Sequence, residues 1–184
     1  FPALPGPIIG LNLSPINLGT TKTAGFDVTL NAAAPPNEWG VLRAGLQGSY
    51  VTRYETQING VQFVSMLGRA VNGAPIPRWR STLTLDWSRG PWGATLAQVY
   101  SRGYTDQQPG ADGAPRQVSA LSTWDLQLRS TAIAGWRWAV GVQNLFNSDP
   151  PASNQERTPQ AGYNPQIASP LGRTFYLRGT REFE

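Results

Sequence analysis

The feature that most constrains this chain is a two-residue alternation of apolar and polar side chains, sustained over unusually long runs. In Trp79-Arg80-Ser81-Thr82-Leu83-Thr84-Leu85-Asp86-Trp87, the odd positions carry Trp, Ser, Leu, Leu and Trp, and the even ones Arg, Thr, Thr and Asp. Trp124, Leu126 and Leu128 alternate with Asp125, Gln127 and Arg129. Trp136, Trp138, Val140 and Val142 alternate with Arg137, Ala139, Gly141 and Gln143, and Phe26, Val28 and Leu30 with Asp27, Thr29 and Asn31. Period two places successive side chains on opposite faces of a strand. The pattern predicts strands over 24–33, 40–52, 78–87, 92–103, 121–131, 136–146 and 172–183. In 93–100 neither parity is cleanly apolar, because Gln98 shares a face with Leu96 and Tyr100. Most of these runs are about twice the five to six residues usual for a globular strand. They fit instead the roughly nine to eleven residues with which a tilted strand crosses a bilayer.

The connections alternate as well. Ala34 to Trp39, Ser88 to Pro91 and Ala132 to Gly135 are short; Arg53 to Pro77, Tyr104 to Ala120 and Asn147 to Leu171 are long. Short turns at one end and long loops at the other are the pattern of an outer-membrane barrel. Aromatic residues concentrate at both ends. Trp39, Trp87, Trp92, Trp136 and Trp138 adjoin the short turns; Tyr50, Tyr54, Trp79, Tyr100, Tyr104, Trp124, Phe146 and Phe175 adjoin the long loops. Two such belts are expected where amphipathic rings settle at membrane–water interfaces. Phe183 would join the girdle from the last strand. Residues 1–22, rich in Pro and Gly, read as part of an external loop. Seven strands cannot close a membrane barrel, and open edges are not tolerated in lipid, so the expectation is a segment of a larger wall.

Composition excludes more chemistry than it suggests. The 184 residues contain neither His nor Cys. A Ser-His-Asp triad, a thiol nucleophile and a thiolate metal site are therefore out of reach. Asp106, Asp112, Asp149 and Glu156 lie on loops, where acids are more often solvated than paired for glycoside hydrolysis. The expectation is no enzyme, no metal and no cofactor. The net charge of +4 comes from scattered residues, with Lys22 the single lysine among 15 basic side chains. A nucleic-acid reader concentrates its cations in a patch, so no nucleic-acid partner is expected.

The C-terminal part carries a set of motifs in order: Val140-Gly141-Val142-Gln143-Asn144-Leu145-Phe146-Asn147, then Asp149-Pro150-Pro151, Gly162-Tyr163-Asn164-Pro165 and Gly172-Arg173-Thr174-Phe175-Tyr176-Leu177. It resembles the end of a TonB-dependent outer-membrane receptor. There the penultimate strand closes on an Asn-Leu-Phe-Asp type motif, and the last begins Gly-Arg-Thr-Phe/Tyr-Tyr and ends on an aromatic. Asn17-Leu18-Gly19, Gly25-Phe26-Asp27 and Pro77-Arg78-Trp79 are similar to upstream strand openings of the family. Two positions depart from it. Glu184 follows Phe183, and Gly179 and Arg181 stand on the apolar parity of the final strand.

The resemblance implies an all-β, antiparallel up-and-down barrel of about 22 strands, of which residues 1–184 supply about seven as the C-terminal portion. It also implies a plug domain and N-terminal strands outside this sequence. Function would be TonB-energised uptake of a scarce ligand, an iron–siderophore or similar, across the Gram-negative outer membrane. Implied partners are outer-membrane lipid, the plug and N-terminal strands, the TonB complex through that plug, and a small-molecule ligand. Arg43, Arg80, Asp86, Asp125, Arg129, Arg137 and Arg178, together with Asp27, would face lumen and plug; ligand contacts would fall on Tyr104, Asp106, Gln107, Arg116, Arg157 and Tyr163. Two other readings of the same pattern are a small self-contained outer-membrane barrel and a soluble β-sandwich that binds carbohydrate through exposed Trp.

Overall fold

The computed structural model describes residues 19–58, 60–71, 73–133, 135–156, 159 and 162–181, and shows strands but no helix among them. Seven long strands dominate: β1 (Gly19–Ala33), β2 (Val41–Ile58), β6 (Trp79–Arg89), β7 (Trp92–Ser101), β10 (Leu121–Ile133), β11 (Trp136–Gln143) and β12 (Thr174–Arg181). Five two-residue strands lie in the long loops: β3 (Val64–Ser65), β4 (Ala70–Val71), β5 (Ala74–Pro75), β8 (Tyr104–Thr105) and β9 (Gln117–Val118). The long strands form one sheet in the order β1-β2-β6-β7-β10-β11-β12, with every pairing antiparallel. It is an open sheet, since β1 and β12 stand at its two edges.

Register turns the one-dimensional alternation into two continuous faces. Leu42, Trp87, Ala94, Leu128, Val140 and Leu177 are successive partners across six strands. One step along, Ala44, Leu85, Leu96, Leu126, Val142 and Phe175 do the same. The opposite face carries Arg43, Asp86, Thr95, Gln127, Gly141 and Tyr176 in one row, and Asp27, Ser49, Arg80 and Ser101 in another. The ambiguous strand is resolved by its neighbours. Gln98 does stand in the apolar face, between Leu83 and Trp124, and donates to the Ser122 hydroxyl at 2.9 Å.

The apolar face of this sheet is left uncovered. Phe26, Leu30, Leu42, Val140, Phe175 and Leu177 are all exposed. The buried apolar residues among those described are only Ala70, Tyr104 and Val118, and all three lie in loop hairpins. A soluble sheet this large would bury one face against a second layer. This one leaves a broad apolar surface, far beyond the scattered exposed residues of a soluble monomer.

Several boundaries differ from the sequence expectation. β1 starts at Gly19, so part of the expected N-terminal loop is strand, and β2 runs on to Ile58. The 15 and 18 residues of this hairpin exceed a bilayer crossing, and its far end stands beyond the other strands. A bulge between Ala24 and Gly25 leaves Thr52 without a register partner. Gly25 is needed there: a Cβ would lie 2.5 Å from the Tyr50 carbonyl oxygen. β11 stops at Gln143, three residues early, because Asn144 and Asn147 turn the chain at φ 51° and 54°. Asn is one of the few residues that adopts this left-handed region readily. The final strand begins at Thr174, two residues later than expected, and is described as far as Arg181. Residues 1–18 and Phe183 lie outside the described residues, so the expected N-terminal loop beyond Gly19 and that girdle position do too.

Candidate functional site

The three long loops lie at one end of the sheet and build its compact cluster there. They share one small core. Ala70 from the first loop, Tyr104 and Val118 from the second, and Ile167 from the third pack together. Backbone joins them as well: Thr105 N–H donates to the Gly68 carbonyl at 2.7 Å, and Arg69 bridges Thr105 in parallel.

The polar centre of the cluster is Asp106, only 8% exposed. Its Oδ1 accepts from the Ser153 hydroxyl at 3.1 Å and from the Gln107 N–H at 2.9 Å. Its Oδ2 accepts from the Asn154 N–H at 2.6 Å. One carboxylate thus ties the second loop to the third. Two amides tie the first loop in. The Asn164 side chain donates to the Gly73 carbonyl at 2.8 Å, and the Gly73 N–H donates to Gln107 Oε1 at 2.8 Å. At the rim, Gln108 Nε2 donates to Glu156 at 2.9 Å and Asn154 Nδ2 to the Pro109 carbonyl at 3.0 Å. The Tyr104 hydroxyl is buried and has no hydrogen-bond partner. Burial raises its pKa above the ordinary 10.0, and nearby Asp106 adds to the rise, outweighing the opposing pull of the neighbouring Ser153 and Asn164 side chains.

The Asn-Leu-Phe-Asn turn fastens the third loop to the sheet. Asn144 N–H donates to Asp125, and its side chain both donates to the Ser148 carbonyl and accepts from the Ser148 N–H. Asn147 Oδ1 accepts from the Arg173 N–H at 2.8 Å, next to Gly172 at φ 63°. The loop then folds back over the polar face. A cavity of about 270 Å³ lies beneath it, lined by Val99, Thr123, Asp125, Asn144, Ile167 and Leu171 among others. A second cleft of about 450 Å³ opens between the first two loops beside Arg69, Thr105, Gln107 and Pro115.

The residues expected to contact ligand divide into two groups. Tyr104, 2% exposed, and Asp106 are internal to the cluster, so their place is in its framework rather than on its surface. Gln107 is exposed at the second cleft, and Arg116 and Tyr163 are half-buried. Arg157 lies outside the described residues. Asn164 and Ser153, the most deeply buried polar residues of the cluster, were not among the expected site residues. Gly162-Tyr163-Asn164-Pro165 had stood out only as a motif, and no sequence signal marked Ser153.

Asp27, Arg43, Arg80, Asp86, Asp125, Arg129, Arg137 and Arg178 all fall on the polar face by register. Arg129 grips Asp86 through two bonds of 2.7 and 3.1 Å, and Thr95 donates to the same carboxylate at 2.9 Å. Trp87, Trp92, Trp136 and Trp138 share the apolar face near the short turns, with Trp39 71% exposed in the first turn. At the other end Phe26 stacks on Tyr50 at 5.3 Å, and Tyr50 meets Trp79 at 6.4 Å.

A long-stranded antiparallel wall, apolar on one side and polar on the other with its loops gathered at one end, defines a segment of a membrane β-barrel. Residues 3–145 match the family described as TonB dependent receptor-like, beta-barrel, and the chain belongs to that family. Its fold is also that of a solved mutant of the ferric enterobactin receptor of Pseudomonas aeruginosa, with a TM-score of 0.53 at 18% identity. The match covers 84% of this chain and 21% of that receptor, so the chain spans about a fifth of its length. No curated protein matches.

Proposed function

We propose that these residues form part of the wall and mouth of an outer-membrane receptor that imports a scarce small ligand, an iron–siderophore or similar, with energy from the TonB complex. The single observation that carries this is the register: one unbroken apolar face, one polar face and every long loop at the same end. The apolar face would meet lipid. The polar face would meet a plug, with Arg43, Arg80, Asp86, Asp125, Arg129, Arg137 and Arg178 offering it charge and hydrogen bonds. The strands here are the C-terminal portion of that barrel, with plug and N-terminal strands supplied elsewhere in the receptor. The role is transport rather than catalysis.

Ligand would be met at the loop surface, where Gln107, Arg116 and Tyr163 remain accessible while Tyr104 and Asp106 hold the frame. A sandwich would need a second sheet over the apolar face, and the described residues supply none. A small closed barrel would need β1 and β12 to pair, and they stand at opposite edges. The test is uptake by the whole receptor in cells grown under iron restriction, with and without an intact TonB complex. Radiolabelled ferric-siderophore uptake should require TonB and should fall when Gln107, Arg116 and Tyr163 are replaced together by Ala. Uptake that persists without TonB would overturn the energised reading, and unchanged uptake in the triple variant would overturn the assignment of those loops.

A further inference from the structure

The apolar face is not uniform at its short-turn end. Register places Arg89, Trp92, Ser130, Trp138 and Gly179 side by side in one row. Two large rings are therefore separated by a small, buried Ser130, and the row ends on a residue with no side chain. The next row inward is Trp87, Ala94, Leu128, Val140 and Leu177. The Trp138 ring leans over Gly179, where a Cβ would stand 2.9 Å from it. The result is a slot of about 480 Å³ with Trp92 and Trp138 as walls, Leu128 and Val140 as floor, and Leu177 at its far side. Its lining is almost wholly apolar. Trp92, Leu128, Val140 and Leu177 are each about half exposed or more.

On the apolar face, cations stand at the outer end of this slot. Arg181 stands one register step outward, opposite Trp136, with its guanidinium 6.0 Å from the centre of that ring. Arg89 stands one row inward of it, at the other end of the Trp92–Ser130–Trp138–Gly179 row, across strands spaced about 4.8 Å apart. Cationic side chains level with a Trp belt sit at the depth of lipid phosphates, while the slot runs inward toward the acyl region.

We propose that this slot holds one acyl chain of a glycerophospholipid whose phosphate rests against Arg181, making a retained lipid site on the wall. It explains both departures of the last strand from its family pattern. Gly179 makes room for the tilted Trp138 ring that walls the slot, and Arg181 supplies the headgroup contact. The proposal rests on the outer-membrane reading above, and the experiment separates the two.

The whole receptor, extracted from outer membranes in mild detergent and stripped of lipid, is titrated with phosphatidylglycerol and read by native mass spectrometry. Outer-membrane fractionation of the same preparations reports on the membrane reading independently. One phosphatidylglycerol should bind ahead of the rest. Arg181→Gln should weaken that first binding about fivefold, which is what one juxtamembrane cation contributes. Val140→Trp, which fills the slot from its floor on a face already exposed, should abolish the distinct first event with Arg181 intact. Equal binding by all three proteins overturns the site. Loss in Arg181→Gln alone, with Val140→Trp unchanged, also overturns it by reducing the effect to headgroup attraction without a slot. Should Val140→Trp fail to assemble, Leu128→Trp, which fills the slot from the other half of its floor, takes its place, and an unchanged first binding event in it overturns the proposal.

Discussion

Replacing Asp106 by Asn tests whether one carboxylate holds the external loops together. The two side chains are nearly the same size, so packing against Tyr104 and Ser153 is preserved. The remaining amide oxygen can still accept from the Ser153 hydroxyl and the Gln107 N–H. The new amide nitrogen then faces the Asn154 N–H across what is a 2.6 Å bond in the native protein, a donor against a donor. Flipping the amide only moves the conflict to the Gln107 N–H, because the Ser153 hydroxyl can turn and accept instead. A lost bond to a charged acceptor costs about 1.5–3 kcal/mol, and a buried donor left unpaired costs a similar amount. These are two ways of counting the same lost contact rather than terms to be added, so about 2–3 kcal/mol of loop-closing free energy is at stake. At 1.4 kcal/mol per tenfold, the loops should open roughly 30- to 150-fold more often. Hydrogen exchange in the whole receptor reads this directly, because locally opened amides exchange in proportion to that population. The Asn154 and Thr105 amides should lose protection by that factor, while the amides of Leu85 and Leu96, paired within the sheet away from the loops, should keep theirs. Equal protection of Asn154 in both proteins would refute the idea that Asp106 is the tie.

Tyr104→Phe removes a buried hydroxyl that lacks a partner, so the loops should be as stable or more so at neutral pH, measured by the same exchange. Because burial raises the native pKa of Tyr104, its neutral form is favoured in the folded loops. Loop stability should therefore hold below 10.0 and fall as pH climbs through the raised value, because ionising the buried hydroxyl opposes closure, and this alkaline loss should be absent in Tyr104→Phe. Asn147→Ala should cost about 1–2 kcal/mol for a left-handed backbone without Asn and lose the Arg173 bond besides, seen as a lower unfolding temperature; Asn147→Gly should recover most of the backbone share. A double-mutant cycle on Asp86 and Arg129 in urea should give a coupling of about 0.5–1 kcal/mol, since both side chains are partly exposed, and a value near zero would show the pair to be idle.

Most of the wall was legible in the sequence because its rules are local. Period two assigns Leu83, Leu85 and Trp87 to one face whatever lies beside them, and the alternating connection lengths place every loop. Strand ends were less legible, for reasons particular to each. β2 continues to Ile58 because β1 and β3 pair with it there, a contact between segments that no period reveals. β11 stops at Gln143 because two Asn residues turn the backbone, although Leu145 and Phe146 would continue the pattern. The loop cluster was hardly legible at all. Its partners, Gly73, Asp106, Ser153 and Asn164, are up to about ninety positions apart and are joined by single hydrogen bonds rather than by any repeat. Tyr104 and Asp106 sit on a loop that reads as polar and exposed in the sequence, and the structure buries both. The same polarity serves to satisfy buried groups when three loops pack without an adequate apolar core.

The distribution of buried residues gives the chain two parts with different sources of stability. The sheet buries almost nothing within itself, so its side chains must be matched by surroundings: lipid on one face and a polar interior on the other. The loop cluster buries Tyr104, Val118, Asp106, Ser153 and Asn164 against one another and needs no such surroundings. Glycines under aromatic rings follow the same logic on the sheet. Tyr176 covers Gly141 and is held by Gln127, and Trp79 covers Gly48, so flat aromatic surface replaces a core that the wall does not have. Changes on the sheet should therefore act through membrane assembly, and changes in the cluster through loop opening in a fully assembled barrel. The loops at this end are then a preformed, hydrogen-bonded surface, and that frame decides which side chains, Gln107, Arg116 and Tyr163 among them, are left accessible.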